Sequence, residues 1–377
     1  MGELTRDSTA AEIVKPSSGL SDDRAAACGR PARQRRLCFS GLFFLACISL
    51  LLLHLAIALL VDPRNYYGTG ICKGLIREIS DNTRREKMAL FTDYRKDGNI
   101  DGLLLGSSRV MKLDPKSFAA DGRYFNFGVS GALPADALAI YRWVRAQGAH
   151  PSVVIIGLDV HAFDPNYEKP EELRKVSALY RELGDTDGGG LAEFARMARI
   201  IYSTTFVKEL LRVAWYATQR HQIPKSYAYH PDGLLVNARD DRLRAAGQWN
   251  LDKGIQRYCT SYSMVYQRMP ALSPKHKAIF ETVIREARAD HADVRLWITP
   301  LHPTVSAYLS NTHYPRLLGE MQAYLAALHG EYGVTVYDCH DPSLYGGTTT
   351  DWYDGVHVTK PEAERIGTVL RGNRDGF

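Results

Sequence analysis

Several kinds of functional site are ruled out by what this sequence lacks. Its 377 residues include only six cysteines and no Cys-x-x-Cys pair, so a zinc or redox site built on that motif is excluded. It also lacks a Walker loop, a zinc-finger spacing and a basic–aromatic RNA-binding signature. The formal net charge of +5 is small for this length, and we therefore expect no nucleic-acid partner.

One long hydrophobic run departs from the otherwise ordinary globular composition. The segment from Leu37 to Val61 contains no charged residue and is long enough to cross about 30 Å of hydrocarbon as a helix. Four arginines lie just before it, so the positive-inside rule places residues 1–36 in the cytoplasm and residues 62–377 outside. We therefore predict a single-pass anchor in the inner (cytoplasmic) membrane, with the C-terminal domain in the periplasm or another extracytoplasmic space.

A cleaved signal peptide is the alternative interpretation of the same segment. The stretch from Ala56 to Ala58 resembles a small-residue cleavage site, but the hydrophobic run is longer than the usual core of such a peptide. Three cysteines, Cys72, Cys259 and Cys339, lie on the exported side of this segment. Their odd number leaves at least one unpaired within a monomer, and whether two of them form a disulfide stays open.

Downstream of the anchor, short hydrophobic stretches alternate with segments of helical spacing. We expect residues 1–36 to be a disordered tail, residues 62–99 a polar juxtamembrane neck, and residues 100–377 the functional domain. Strands separated by helices predict an α/β fold: a three-layer α/β/α sandwich around a mostly parallel sheet. The predicted strands are Ile100–Leu105, Tyr124–Val129, Ser152–Leu158, Val294–Thr299 and Val334–Asp338.

The interval from about 166 to 290 is too long for a simple crossover between two strands. It contains a helical stretch from Leu191 to Arg220 and many tyrosine and tryptophan residues. We interpret it as a helical insertion packed over the carboxyl edge of the sheet. Open α/β sheets bind their ligands at that edge, so such an insertion would cover the functional site.

The first motif is Gly106-Ser107-Ser108, at the end of the first predicted strand. A glycine there allows a sharp turn, after which a serine can lie at the start of a helix. The free N–H groups and partial positive charge of a helix amino terminus would stabilise an alkoxide or oxyanion. The alternative is that the two serines only cap the helix.

The second motif is the segment FNFGVSGA, from Phe125 to Ala132. Its small residues let backbone N–H groups approach a substrate closely, and Asn126 and Gly131 are the residues with a candidate role. The segment also contains Gly-Val-Ser-Gly, but a nucleophile elbow requires glycine where Ala132 stands. An α/β-hydrolase is therefore disfavoured.

The third motif is Asp354-Gly-Val-His357, just before a predicted helix near the end of the chain. A carboxylate three residues before a histidine can orient its Nδ1–H and leave Nε2 free to take a proton from a serine. A surface turn with a structural histidine is the alternative for this motif taken alone.

The order of the three motifs resembles that of the SGNH, or GDSL-like, hydrolase superfamily. Gly106-Ser107-Ser108 is similar to the first block, Gly-Asp-Ser, with serine in place of aspartate, and the resemblance implies Ser108 as the nucleophile. The segment around Gly131 is similar to the block that carries an oxyanion glycine. The last block implies Asp354 and His357 as the other triad members. The resemblance covers roughly residues 100–165 and 290–370, and it implies a flavodoxin-like sheet and no metal or organic cofactor.

The third block of that family is Gly-x-Asn-Asp, and this sequence departs from it. Asp159 stands where the asparagine side chain would donate to the oxyanion. An ionised carboxylate would repel an oxyanion, so this donor is absent, or Asp159 orders the loop, or it is held protonated. Backbone N–H groups of Ser108 and Gly131 would still form an oxyanion hole. His161 and His302 are either substrate contacts at this edge or structural histidines.

The resemblance implies a membrane-anchored, extracytoplasmic serine esterase or O-acyltransferase that works through an acyl-enzyme. Anchored relatives move acetyl or similar groups on envelope and exported polysaccharides, so the expected substrate is an acylated polysaccharide. Polysaccharide synthesis or export proteins are the expected partners, besides the membrane itself. Two alternatives stay open: a non-catalytic glycan-binding or scaffold protein, and an esterase directed at lipids.

Overall fold

Five parallel strands form the central sheet of the domain. The computed structural model describes residues 32–61, 82–167, 171–184, 195, 198–199, 201–218 and 227–372. The strands of these residues are β1 (Gly102–Leu105), β2 (Tyr124–Asn126), β3 (Val153–Leu158), β4 (Ala228–Tyr229), β5 (Leu235–Val236), β6 (Asp293–Ile298) and β7 (Thr335–Asp338). The sheet order is β2-β1-β3-β6-β7, with every neighbouring pair parallel. This is the flavodoxin-like order, and the predicted α/β fold class is confirmed.

Helices connect the strands. In chain order they are α1 (Ala32–Val61), α2 (Thr83–Tyr94), α3 (Pro134–Ala146), α4 (Glu171–Arg174), α5 (Ser177–Tyr180), α6 (Thr204–Thr218), α7 (Ala238–Ala245), α8 (Leu251–Arg268), α9 (Pro274–Ala289), α10 (Pro303–Tyr308), α11 (Tyr314–Tyr332) and α12 (Lys360–Arg371). Several begin at a proline in the first turn, where the missing N–H costs no hydrogen bond.

Alternate residues of each strand point to opposite faces of the sheet, and helices cover both faces. Leu103 and Leu105 of β1 belong to a core shared with α2, α3, α9 and α11. Leu104 belongs to a second core, which α12 completes. Because both faces of β1 and β3 are buried, these two strands are continuous hydrophobic runs rather than alternating ones. This is the three-layer arrangement that the sequence predicts.

The helix α1 contains the predicted anchor. Its segment Phe39–Val61 is 23 residues long, is apolar enough to cross a membrane, and has mostly exposed side chains. Of the predicted cytoplasmic tail, residues 1–31 lie outside the described residues, and residues 32–36 belong to α1.

Helix α2 lies in the stretch predicted as a juxtamembrane neck, of which residues 62–81 lie outside the described residues. Three of its side chains, Arg84, Lys87 and Phe91, are buried in the domain. The Lys87 ammonium donates to the backbone carbonyl oxygens of Asn126 and Gly233. This part of the neck is therefore integral to the domain.

The predicted insertion contains helices α4 to α8 and a two-stranded antiparallel ribbon of β4 and β5, which the sequence did not indicate. Part of the predicted helix from Leu191 to Arg220 lies outside the described residues. The ribbon contacts the carboxyl end of β2, where the Asn126 N–H donates to the Asp232 carbonyl at 2.8 Å. Helix α9 packs on α3 and β6 instead, as the crossover helix of the sandwich.

The sheet order determines where a ligand crevice forms. The chain leaves β1 for β2 on one side and later enters β3 on the other side of β1. In open α/β sheets, a crevice forms at such a switch point, outside the carboxyl ends of the two strands. Ser107 and Ser108 follow β1, and Asp159 follows β3, so both segments lie at this point.

Candidate active site

Gly106 allows the sharp turn that places Ser108 at the end of β1. Its φ of 137° lies in a region that favours glycine, and an added Cβ would lie 2.6 Å from Val110 Cγ2 and 2.7 Å from the Gly157 carbonyl oxygen. Ser107 is buried, whereas Ser108 is partly exposed and faces a cavity. The predicted helix start is wrong: residues after Ser108 form turns, so no helix dipole acts on this serine.

Ser108, His357 and Asp354 form a continuous hydrogen-bonded relay. Ser108 Oγ lies 2.9 Å from His357 Nε2. On the other side of the ring, His357 Nδ1 lies 2.9 Å from Asp354 Oδ2 and 3.1 Å from Oδ1. The fold thus brings together two segments that are 249 residues apart in sequence. This geometry lets Nε2 accept the serine proton while Asp354 orients the ring.

The carboxylate of Asp354 is held in its ionised form. Burial alone would raise its pKa, but hydrogen bonding and charge from His357, together with the backbone N–H groups of Val356 and His357, lower the pKa below its usual value. Both of these N–H groups donate to Oδ1 at 2.9 Å. The ionised carboxylate is the form that stabilises a protonated imidazole during proton transfer.

Helix α7 and the segment between α7 and α8 hold the loop that carries Asp354 and His357. Arg244 donates to the Trp352 and Thr350 carbonyl oxygens, and Trp249 Nε1 donates to the Tyr353 carbonyl oxygen at 2.7 Å. The insertion therefore also fixes the position of the loop that carries Asp354 and His357.

Gly254 lets α8 approach this loop closely. An added Cβ at Gly254 would lie 2.8 Å from Asp354 Cβ and 3.0 Å from its Cα. One turn later, the Tyr258 ring packs edge-on to the His357 ring, with centroids 6.0 Å apart. Helix α8 thus contacts two members of the relay.

Backbone N–H groups are available for an oxyanion. Within the described part of the chain, neither the Ser108 N–H nor the Gly131 N–H donates a hydrogen bond. Gly131 lies on an exposed turn with a φ of 59° and with no heavy atom within 4 Å of an added Cβ. A hydrogen bond from the Val129 N–H to the Gly106 carbonyl oxygen, 2.9 Å long, connects this segment to the turn that carries Ser108.

Asn126 is fully engaged inside the fold. Its Nδ2 donates to the carbonyl oxygens of Val110 and Leu113, each at 2.8 Å, and its Oδ1 accepts the Gly128 N–H at 2.9 Å. The side chain is completely buried. Asn126 holds the turn after Ser108 against β2. Its side chain does not line the cavity.

Asp159 forms a buried ion pair with Arg109, the residue directly after Ser108. Arg109 Nη1 lies 3.4 Å from Asp159 Oδ1 and 2.9 Å from Thr299 Oγ1, and its Nη2 donates to the Tyr262 hydroxyl. Burial alone would raise the pKa of Asp159, but the Arg109 charge and a hydrogen bond from Ser107 contribute to lowering it. Of the three roles open to Asp159, ordering the loop fits these contacts, and a protonated carboxyl does not.

The two candidate histidines differ in their surroundings. The His161 ring packs at 5.1 Å from the Tyr262 ring, and burial lowers the pKa of His161 to about 4. His302 caps α10, because its Nδ1 accepts the Thr304 N–H at 3.2 Å while Nε2 lies 3.0 Å from the Thr349 carbonyl oxygen. These two contacts hold the His302 ring at the start of α10, which is a structural role.

A cavity of about 720 Å³ opens beside the relay. Asn126, Asp159, His161 and His302 are not among its lining residues, and neither is Gly131. Apart from Ser108, Asp354 and His357, its lining comprises Lys112, Leu235, Asn237, Asp240, Leu243, Gln248, Trp249, Asn250, Lys253, Gly254, Arg257 and Tyr353. Most of these residues belong to the insertion, which therefore forms one wall of the site.

Several residues of the site were not identified from the sequence. None of the motifs contains Arg109, Gly254 or Lys253. The sequence indicated the position of Arg109 alone, because it directly follows Ser108. No group of three His, Cys, Asp or Glu side chains among the described residues is placed to hold a metal ion. Cys259 and Cys339 are buried free thiols, while Cys72 lies outside the described residues.

Comparisons with known proteins give no family. No family model matches the chain, and no curated protein matches it. A solved structure from Bacteroides fragilis, described as a "putative acylhydrolase", matches at 13% identity with a TM-score of 0.36, covering 75% of this chain and 93% of that one. A likeness this distant assigns no reaction, so the site itself must support a function.

Proposed function

We propose that this chain is a serine esterase or O-acyltransferase that acts through an acyl-enzyme. The observation that carries the proposal is the Ser108–His357–Asp354 relay, with Ser108 Oγ 2.9 Å from His357 Nε2 at the wall of a cavity. An unpaired serine hydroxyl is a weak nucleophile, and a histidine held by a carboxylate is the arrangement that activates it.

The first half-reaction transfers the acyl group to the enzyme. Ser108 Oγ attacks the carbonyl carbon of the ester while its proton passes to His357 Nε2, and Asp354 stabilises the resulting imidazolium. The negative charge that develops on the carbonyl oxygen is stabilised by the N–H groups of Ser108 and Gly131. When the intermediate collapses, the alkoxide leaves with the proton from His357, and the acyl group stays on Ser108.

The second half-reaction returns the acyl group to water or to another hydroxyl. His357 deprotonates the incoming group, which attacks the acyl-enzyme, and Ser108 regains its proton. Hydrolysis and transfer share every residue of this cycle and differ only in the acceptor. Helices α7 and α8 form a wall over the relay, and exclusion of water by such a wall favours transfer.

We propose an acylated glycan as the substrate and the extracytoplasmic side of a membrane as the location. The cavity is edged by amide, charged and aromatic side chains, such as Asn237, Gln248 and Trp249, which suit a sugar. An esterase directed at lipids would require a continuous apolar groove, whereas the described part of the lining has two aliphatic side chains, Leu235 and Leu243. The anchor segment supports attachment to a membrane.

The proposal is tested by labelling the full-length protein, purified in detergent, with a fluorophosphonate. Intact mass should show one adduct in the wild type and in S107A, because the buried Ser107 is not the nucleophile, and none in S108A. Release of acetate from an acetylated oligosaccharide should depend on the same serine.

A folded wild-type protein that forms no adduct and releases no acetate would favour the alternative, a non-catalytic glycan-binding scaffold. Equal labelling of S108A and the wild type would exclude Ser108 as the nucleophile.

A further inference from the structure

One face of α8 lines the cavity. Asn250, Lys253, Gly254 and Arg257 all belong to the lining, and their spacing of three, four and seven residues places them on a single side of the helix. An added Cβ at Gly254 would lie 2.8 Å from Asp354 Cβ, so the helix lies close to Asp354 here. Lys253 directly precedes this glycine, and Arg257 follows it by about one turn.

Lys253 has no partner of opposite charge. Among the residues that the structure describes, its ammonium group forms neither an ion pair nor a hydrogen bond. It is exposed at the rim of the cavity, one turn from Arg257. Side chains four residues apart on a helix are neighbours, so two cations close together repel each other unless an anion lies between them.

Arg257 is only weakly neutralised within the chain. Its Nη2 lies 3.5 Å from Asp354 Oδ2, and its side chain remains 67% exposed. The Asp354 carboxylate already accepts two backbone N–H groups and holds His357. The guanidinium therefore keeps donors free for a second carboxylate, which it can bind with two parallel hydrogen bonds.

The remaining charges of the lining are a cation, Lys112, and an anion, Asp240. Lys112 is nearly buried and contacts the Tyr353 hydroxyl at 3.4 Å. Burial lowers the pKa of Lys112, and the charges of Asp241 and Asp240 act on it, so the cations of the lining that face a ligand are Lys253 and Arg257. A neutral substrate would give these two exposed cations no carboxylate to bind, whereas an anionic one would be attracted to them.

We propose that Lys253 and Arg257 form a carboxylate-binding subsite beside Ser108, so that the acylated substrate is an anionic, uronate-type glycan. This inference rests on the proposed function, since it specifies the substrate of the same site. The subsite holds a sugar carboxylate next to the sugar that bears the ester. It also offsets the repulsion that Asp354 would exert on such a substrate.

The test uses a matched pair of substrates and the full-length protein in detergent. One is an O-acetylated trigalacturonate, and the other is the same acetylated trisaccharide with its carboxylates converted to methyl esters. Acetate release is measured for both, and the ratio of the two kcat/KM values reports the effect of the carboxylates alone. For the wild type we expect the anionic form to be preferred about tenfold, mainly through KM.

The charge-reversing variant K253E should lower this ratio about tenfold, because it replaces an attraction with a repulsion. K253R should keep the ratio near the wild-type value. K275E is the matched control, since Lys275 is exposed on α9 outside the cavity lining, and its ratio should equal that of the wild type. The preference should also weaken at about 0.5 M salt.

A wild-type ratio near one, or an unchanged ratio in K253E with an unaltered thermal unfolding temperature, would overturn the subsite while leaving the esterase proposal intact. Absence of acetate release from both substrates, together with no fluorophosphonate adduct, would instead overturn the proposed function. Preferential release of fatty acid from phosphatidylglycerol vesicles, lost in K253E, would replace the glycan with an anionic lipid.

Discussion

Asp354 controls both the position and the tautomer of His357. Its oxygens lie 2.9 and 3.1 Å from Nδ1, which keeps the proton there and leaves Nε2 free for Ser108. In D354N an amide nitrogen competes for this position, and the ring can then carry its proton on Nε2. We expect kcat for ester turnover to fall about 10³–10⁴-fold, with little change in KM. Acetate release and the rate of fluorophosphonate labelling measure this loss.

D240N is the matched control for that substitution. Asp240 lines the same cavity but contacts no member of the relay, so its loss should affect kcat far less. If D354N and D240N had similar kcat values, Asp354 would not be the residue that orients His357.

His161 should make the fold sensitive to mild acid. Burial lowers the pKa of its ring from 6.5 to about 4, so between these values the unfolded chain binds a proton that the folded chain does not. The free energy of unfolding therefore has its full value above pH 6.5 and decreases as the pH falls toward 4. At about pH 5 the loss should be about 1–2 kcal/mol in the free energy of unfolding.

In H161F this loss should disappear, because the ring no longer titrates. Among the described residues His161 Nδ1 has no hydrogen-bond partner, so removing it leaves none of their donors or acceptors unsatisfied. Urea unfolding midpoints at about pH 7 and pH 5 provide the measurement, with the wild type as reference. An equal acid shift in both proteins would show that other groups cause it.

The residues of the relay were predictable from the sequence, but the role of Asp159 was not. Ser108 and His357 belong to short motifs whose order along the chain indicates how they meet. The role of Asp159 follows from its contacts with Arg109 and Thr299, which lie at the ends of two other strands. Neither partner belongs to a motif, so the sequence left three interpretations open and only the contacts favour one.

At the scale of elements, α8 and the catalytic loop must be treated as one unit. Alanine is a better helix former than glycine by about 1 kcal/mol, so G254A taken alone should stabilise α8. A Cβ at this position would, however, lie 2.8 Å from Asp354 Cβ. We therefore expect the loop to shift and kcat to fall about 10²-fold, because small displacements of catalytic groups are costly.

G319A separates the two effects. Gly319 lies in the exposed part of α11 with no heavy atom near an added Cβ, so the substitution should raise stability and leave kcat unchanged. Turnover of an acetylated oligosaccharide and urea unfolding of both variants are the measurements. A G254A protein with the activity of G319A would mean that α8 does not position the loop.

The strands were easier to predict than the elements around the site. Continuous hydrophobic runs bounded by polar residues define β1 and β3, because burial on both faces leaves a run of apolar residues in the local sequence. The turns after Ser108 replace the predicted helix, since Asn126 binds the Val110 and Leu113 carbonyl oxygens from a neighbouring strand. Contacts of that kind come from tertiary structure and leave no periodic pattern in the sequence.

For the whole molecule, the predicted anchor would determine where any catalysis takes place. The segment Phe39–Val61 is long and apolar enough to span a bilayer, and arginines precede it. We place one tag at each end of the chain. A single polypeptide that carries both tags should then stay in the membrane fraction after an alkaline carbonate wash. Protease added to spheroplasts should digest the C-terminal tag and leave the N-terminal tag intact, because the positive-inside rule keeps residues 1–36 in the cytoplasm.

A58L distinguishes this anchor from a cleaved signal peptide. Signal peptidase requires a small residue at such a site, so leucine at position 58 would block cleavage and lengthen the mature chain. An uncleaved anchor has no such dependence, and A58L should match the wild type in size, membrane retention and protease digestion. If the wild type lost its N-terminal tag and A58L kept it, the domain would be released from the membrane, and the relay would act on substrates away from the bilayer surface.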